Sequence, residues 1–180
     1  WNVGSGSLAG YRVKEQFAGQ TSTHEAVART SEVTGQVTIS GTAGAYQLAA
    51  GKLTVQLGSL ASVDQVAGYN VTNRDRIVQG ALNVASYPTA TFVAQPVAIP
   101  AAAESGQTVT LSLPGTLTVH GVTKSVTTAV QLRASGTSAQ VAGTIVVNMT
   151  DYGVSPPSVG FTQVQSTATL EFQLNLTRAA

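Results

Sequence analysis

Residues Thr108–Leu132 read TVTLSLPGTLTVHGVTKSVTTAVQL. Val109, Leu111, Leu113, Leu117 and Val119 hold the odd positions, while Thr110, Ser112, Pro114, Thr116, Thr118 and His120 hold the even ones. A period of two describes a strand with one face in a core and the other in water. His120-Gly121 interrupts it, and Val126, Thr128, Val130 and Leu132 resume it. The pattern predicts a hairpin of two long amphipathic strands around a tight turn.

Working outward, the same alternation recurs. Tyr11, Val13 and Phe17 share one parity with Glu15. Thr21–Arg29 (TSTHEAVAR) reads as a capped helical turn, with Thr21 or Ser22 as the cap. Val33–Ile39 and Leu53–Leu57 alternate again. From Leu60 to Val84 the alternation stops; Asn70–Asn73 reads as loop and cap, and Arg74–Leu82 as a helix. Tyr87-Pro88 ends that region, because the residue before proline avoids the helical basin. A strand follows at Ala90–Ala94, then a proline- and alanine-rich connection from Pro96 to Gly106. Val141–Met149 and Val164–Leu176 are further strands. Between them, Asp151-Tyr152-Gly153 looks like a β-bulge and Ser155–Ser158 like a rigid loop. About eight strands with regular turn signals predict a sandwich or barrel, with one short helical insert and a single domain over residues 1–180.

Composition narrows the function. Charged residues are 9%, against about 25% in an average soluble protein, and threonine and valine supply strand propensity. A net charge of +1 offers no case for nucleic acid. The absence of cysteine excludes disulfides and thiolate metal sites. The chain starts at Trp1 without an initiator methionine. This reads as a processed or trimmed start, so membrane association is expected only through a segment missing from this chain. A weakly charged surface leaves homodimerisation open.

An eight-stranded barrel either fills its interior with side chains or holds one ligand. Here the inward parity is mostly valine, leucine, alanine and glycine, and the chain has one tryptophan, four phenylalanines and one methionine. Small linings favour a cavity for an apolar ligand. Parity places Val109, Leu111, Leu113, Leu117, Val119, Leu170, Phe172 and Leu174 inward, with Phe17 and Phe92 as further apolar contacts. Thr110, Thr118, Thr169, Glu171 and Gln173 should face water. Arg74, Asp75 and Arg76 form the densest charge cluster. Asp75 ties an arginine to the loop or caps the helix, or else Arg74 and Arg76 meet a polar or phosphorylated headgroup at the cavity mouth. Glu15 is expected to be a buried, paired acid, with Arg12, Lys14 or Arg29 as its partner.

Catalytic and metal signals are weak. His24-Glu25 begins like a zinc-protease helix but lacks the second histidine. No nucleophile elbow or phosphate loop is present. His120 reads as a solvated turn residue or a contact at a ligand gate. Asn70, Asn148 and Asn175 open glycosylation-type triplets, two of them inside predicted strands. Two alternatives stand beside a binding protein. One is a structural or stress-related interaction module with a filled core. The other is an enzyme acting on a hydrophobic substrate, which would require convergence among His120, Glu15, Asp75 and Asp151.

Several segments resemble the YceI-like family of bacterial proteins, also called polyisoprenoid-binding proteins. Gly115–Val126 (GTLTVHGVTKSV) is similar to the family's central hairpin. Arg74-Asp75, Leu82 and Tyr87–Phe92 (YPTATF) are similar to its helix-to-strand junction, and Gly58–Ser62 to the end of its third strand. Asn148–Gly153 and the closing strand fit its C-terminal part. Tyr11–Gly41 looks like a branch common in actinobacteria. The resemblance implies an antiparallel eight-stranded barrel similar to a lipocalin, a long isoprenoid-type lipid (polyprenyl phosphate or isoprenoid quinone) in its interior and no catalysis. With two histidines and no cysteine no metal site is expected, and no cofactor other than such a lipid. It also implies an exported protein, located in the periplasm, the cell envelope or the medium. The chain departs from the family pattern at Met149, where an arginine is common, and at Ile77-Val78, where histidine and leucine are common.

Overall fold

A computed structural model describes residues 1–66, 70–160 and 162–179. In chain order the strands are β1 (Asn2–Val3), β2 (Leu8–Phe17), β3 (His24–Thr30), β4 (Val33–Ser40), β5 (Gln47–Gln56) and β6 (Ala61–Ser62). Helix α1 (Val71–Ala81) follows. Then come β7 (Thr89–Ala94), β8 (Val97–Ala98), β9 (Val109–Val119), β10 (Val122–Ser135), β11 (Ser138–Asn148), β12 (Ser158–Val159) and β13 (Thr162–Thr177). Neighbours run antiparallel in the order β1-β4-β5-β7-β9-β10-β11-β13, and β1 pairs back onto β13 through Asn2↔Thr177 and Val3↔Leu176. The sheet is therefore a closed eight-stranded antiparallel barrel, the one all-β architecture that removes exposed edges.

The hairpin that decides the fold joins Val119 to Val122 across His120 and Gly121, whose φ values are 52° and 75°. Two successive positive φ angles make the tight turn whose twist matches that of the flanking strands. Along β9 the side chains of Leu113 and Leu117 are buried and Thr110 and Ser112 are exposed, as alternation requires.

The ring is not uniform along its axis. At one end β1 bridges β13 and β4, and Ser7 ties the bend after β1 to β13 by accepting the Asn175 N–H at 3.0 Å. The interior there is packed with Ala9, Val33, Ala139, Leu174 and Leu176, backed by Trp1, Val3 and Leu132. At the other end β2, β3 and β6 extend the sheet from β13, and α1 packs against β6.

Three local expectations are corrected. Thr21–Arg29 forms no helical turn; His24–Thr30 is strand β3, paired with β2 from Glu15↔His24 to Ala9↔Thr30. Ala26, Val27 and Ala28 are all buried, so the segment lacks the alternation of a half-exposed strand, and long-range pairing overrides its capping signal. The helix starts at Val71, three residues before the expected Arg74, because the Asn70 side chain accepts the Thr72 N–H at 3.0 Å and caps it. Asp151-Tyr152-Gly153 is no bulge. Met149–Tyr152 is one 3₁₀ turn, capped by Asn148 and ended by Gly153 at φ 69°. The Pro96–Gly106 connection contains β8 and a second 3₁₀ turn, Ala101–Ser105, which packs on β10.

Two interior glycines each underlie a phenylalanine ring. A Cβ at Gly115 would sit 2.5 Å from both Phe92 Cζ and the Val93 carbonyl oxygen. A Cβ at Gly143 would sit 2.5 Å from Phe172 Cζ. Gly115→Ala must shift backbone as well as a ring, so it should destabilise the fold by about 1–3 kcal/mol. Thermal unfolding checks this: the variant should melt several degrees below the parent.

Candidate ligand-binding site

Beneath α1 the barrel encloses a chamber of about 480 Å³, within the range of roughly 300–1,000 Å³ usual for small-molecule sites. Its wall carries Val13, Phe17, Ala26, Phe92, Leu117, Val119, Ile145, Val147, Ala168, Leu170 and Phe172. Its roof carries Ile77, Val78 and Ala81 of α1 and the C-capping Leu82, with Leu57, Leu60, Met149 and Tyr152 around it. The glycines opposite Phe92 and Phe172 let both rings lie against the wall, which keeps the space between them open.

Of the residues expected at the site, Phe17, Phe92, Leu117, Val119, Leu170, Phe172 and Arg74 line the chamber. Val109, Leu111, Leu113 and Leu174 do not, although their parity is inward. Leu174 belongs to the packed end of the barrel, and Leu111 and Leu113 pack in the main core. Parity tells which face a side chain takes but not how far along the axis it sits. Arg76 does not line the chamber either: it is exposed on α1, with Nη1 3.4 Å from Asn73 Oδ1. Glu171 does not simply face water. It pairs with both Arg12 and Arg29 and is only 22% exposed.

Glu15 is buried, its side chain 3% exposed, but its partner comes from none of the three expected residues. Arg74 reaches down from α1 and donates from Nη1 to Glu15 Oε1 at 2.9 Å. Arg12, Lys14 and Arg29 sit on the outward parity of β2 and β3, so alternation keeps them from Glu15. Arg74 also donates from Nη2 to Asp64 Oδ1, and from Nε and Nη2 to Ser62 Oγ at 3.2 and 3.0 Å. Asp64 accepts the Val27 N–H at 3.0 Å and lies 2.7 Å from His24 Nε2. Asp75 accepts the Ser62 N–H at 3.0 Å, so it ties the helix to the loop as one sequence reading proposed.

This network sets the local electrostatics. Burial alone would raise the Asp64 pKa, but hydrogen bonds from Arg74, His24 and the Val27 N–H outweigh it and bring it down to about 2. Burial pushes the Tyr11 phenol up to about 12; Arg74 opposes the rise, and Asp75, Asp64 and Glu15 add to it. Among the described residues, no sealed side-chain nitrogen or oxygen lacks a partner. Sequence reasoning missed Tyr11, Ser62, Asp64 and the roof as site residues, although Ile77-Val78 stand out as a departure from the family pattern. Tyr11 shares its parity with Glu15, which was the available signal; Asp64 lies in a segment without periodicity.

His120 sits outside the chamber. Its Nδ1–H donates to the Tyr152 carbonyl at 3.1 Å, and its ring meets Tyr87 edge-on at 4.9 Å, so it braces the rim. Of His120, Glu15, Asp75 and Asp151, only Glu15 lines the chamber, and no hydrogen bond joins any two of the four. No group of three metal-ligating side chains converges among the described residues. No helix of the described residues is long and apolar enough to cross a membrane.

Fold and chamber together define a lipocalin-like antiparallel barrel with a hollow end. The YceI-like domain family model matches residues 9–176, and the chain belongs to that family. Solved structures agree on the fold. A polyisoprenoid binding domain from Saccharophagus degradans, implicated in plant cell wall breakdown, is 18% identical with a TM-score of 0.66, covering 98% of this chain and 100% of its own. BcnA of Burkholderia cenocepacia is 19% identical with a TM-score of 0.62, covering 93% and 96%. The Campylobacter jejuni YceI protein is 13% identical with a TM-score of 0.54, covering 81% and 82%. A search of curated proteins found no match.

The Asp64 shift carries a pH signature. A carboxylate whose folded pKa lies near 2, below its unfolded value of about 3.9, binds fewer protons folded than unfolded. Its contribution is present above about pH 4 and is lost as pH falls towards 2. Urea unfolding across this window should show falling stability, and Asp64→Asn should flatten part of the slope. An identical slope in the variant would show that Asp64 does not carry it.

Proposed function

We propose that this protein binds an isoprenoid-type lipid in the chamber and carries it without catalysis. The observation that carries this reading is the roughly 480 Å³ apolar space between α1 and Phe172, with the Arg74–Glu15 pair beside α1. Such a space suits an extended branched hydrocarbon and disfavours a charged solute, because an unpaired buried charge is costly. The polyisoprenoid binding domain of Saccharophagus degradans, of like fold, supports the same ligand class. A filled structural module would leave no such space, so the chamber favours carriage over that reading. The proposal also puts the protein outside the cytoplasm, as the family resemblance implies; fractionation of the native cells that finds it in the cytosol would remove that part.

Organic extraction of the purified protein, followed by mass spectrometry, should release an isoprenoid lipid. Stripped protein should take one up in native mass spectrometry, and a clean apo mass with no uptake would contradict the proposal. Phe172 forms part of the wall towards the packed end. Phe172→Trp should shorten the longest isoprenoid retained, and Phe172→Ala should lengthen it. The tryptophan variant should lose well under the roughly 1–3 kcal/mol that overpacking a full core costs. Strong destabilisation with unchanged capture would instead show Phe172 to be core.

A further inference from the structure

Among the described residues that line the chamber, Arg74 is the one cation. Its hydrogen bonds to Glu15, Asp64 and Ser62 are all to protein, and Asp75 holds the same Ser62. Three carboxylates thus crowd one guanidinium, and His24, on the far oxygen of Asp64, adds at most one further positive charge. A phosphate headgroup would bring about −1.5 to −2 charges and meet no unpaired cation here. To reach Arg74 it would have to displace Glu15, stranding a carboxylate that is 3% exposed.

Tyr11 offers a different contact. It lines the chamber, and its hydroxyl has no hydrogen-bond partner among the described residues. It is not sealed in, since no sealed side-chain oxygen goes unpartnered. With its pKa pushed up to about 12, it stays a neutral O–H donor at any physiological pH.

On the lipid-binding reading above, we infer that the site selects an isoprenoid with an uncharged, oxygen-bearing head over its phosphorylated counterpart. Tyr11 donates a hydrogen bond to the head oxygen, and Glu15 and Asp64 exclude the anion. Burying an ion among paired charges is the dominant penalty, and like-charge contact compounds it.

Calorimetric titration of the full chain with geranylgeraniol, geranylgeranyl monophosphate and squalene tests this. The alcohol should bind at least ~10-fold tighter than the phosphate, the factor that 1.4 kcal/mol represents. Glu15→Gln should narrow that ratio, and Asp64→Asn serves the same purpose if the first variant fails to fold. Tyr11→Phe should weaken the alcohol several-fold and leave squalene unchanged. Phosphate binding as tight as the alcohol overturns the selection while leaving lipid binding intact. An unchanged ratio in the carboxylate variants overturns their role, and equal losses for alcohol and squalene in Tyr11→Phe overturn the hydrogen bond. If none of the three ligands binds, the lipid reading itself falls.

Discussion

The open end of this barrel depends on one guanidinium. None of the side chains of α1 is fully buried, and an isolated helix of its eleven residues would be marginal in water. It is held by the Asn70 cap, by the half-buried row of Ile77, Val78 and Leu82, and by Arg74 reaching to Glu15 in the wall. Breaking such a pair strands a buried carboxylate, at a typical cost of about 3–5 kcal/mol. The pair adds little stability over a well-packed apolar pair. Its effect is geometric: it fixes where the roof sits over the chamber.

The chamber itself follows from unequal filling of one closed ring. At the β1 end, leucines, valines and Trp1 meet across the axis and close the space. Towards α1, the lining includes Ala26 and Ala168, which are too short to reach across the barrel. Phe92 and Phe172 are large enough to do so, but each lies along the wall over a glycine. Protein interiors normally pack to crystal-like density. A space this large between apolar walls is therefore a feature of the design that calls for an occupant.

Strand alternation made most of the barrel legible. The strands around His120-Gly121, the closing strand with Leu170, Phe172 and Leu174, and the helix near Arg74 could all be read from period and punctuation. β3 could not, because Ala26, Val27 and Ala28 are buried together and leave no alternating signal. The candidate site was half legible. Parity identified Phe17, Phe92, Leu117, Val119, Leu170 and Phe172, yet it gives no axial coordinate, so Val109, Leu111, Leu113 and Leu174 at or towards the packed end looked equivalent. Glu15 announced itself as a buried acid needing a partner. That the partner is Arg74, 59 residues away, follows from how α1 lies on the barrel and from nothing local. The YceI-like resemblance supplied the ring closure, which the sheet order then showed directly.

The central claim is that the α1 half of the barrel is hollow and apolar while the β1 half is solid. Crystals pressurised with xenon test it most directly, because the gas enters dry apolar cavities and has no affinity for a packed core. For protein stripped of bound lipid, the account predicts xenon between Phe17, Leu117, Ile145 and Phe172, with none around Leu174 and Leu176. Xenon absent from the α1 half, with Phe92 and Phe172 swung inward to meet across the axis, would contradict it.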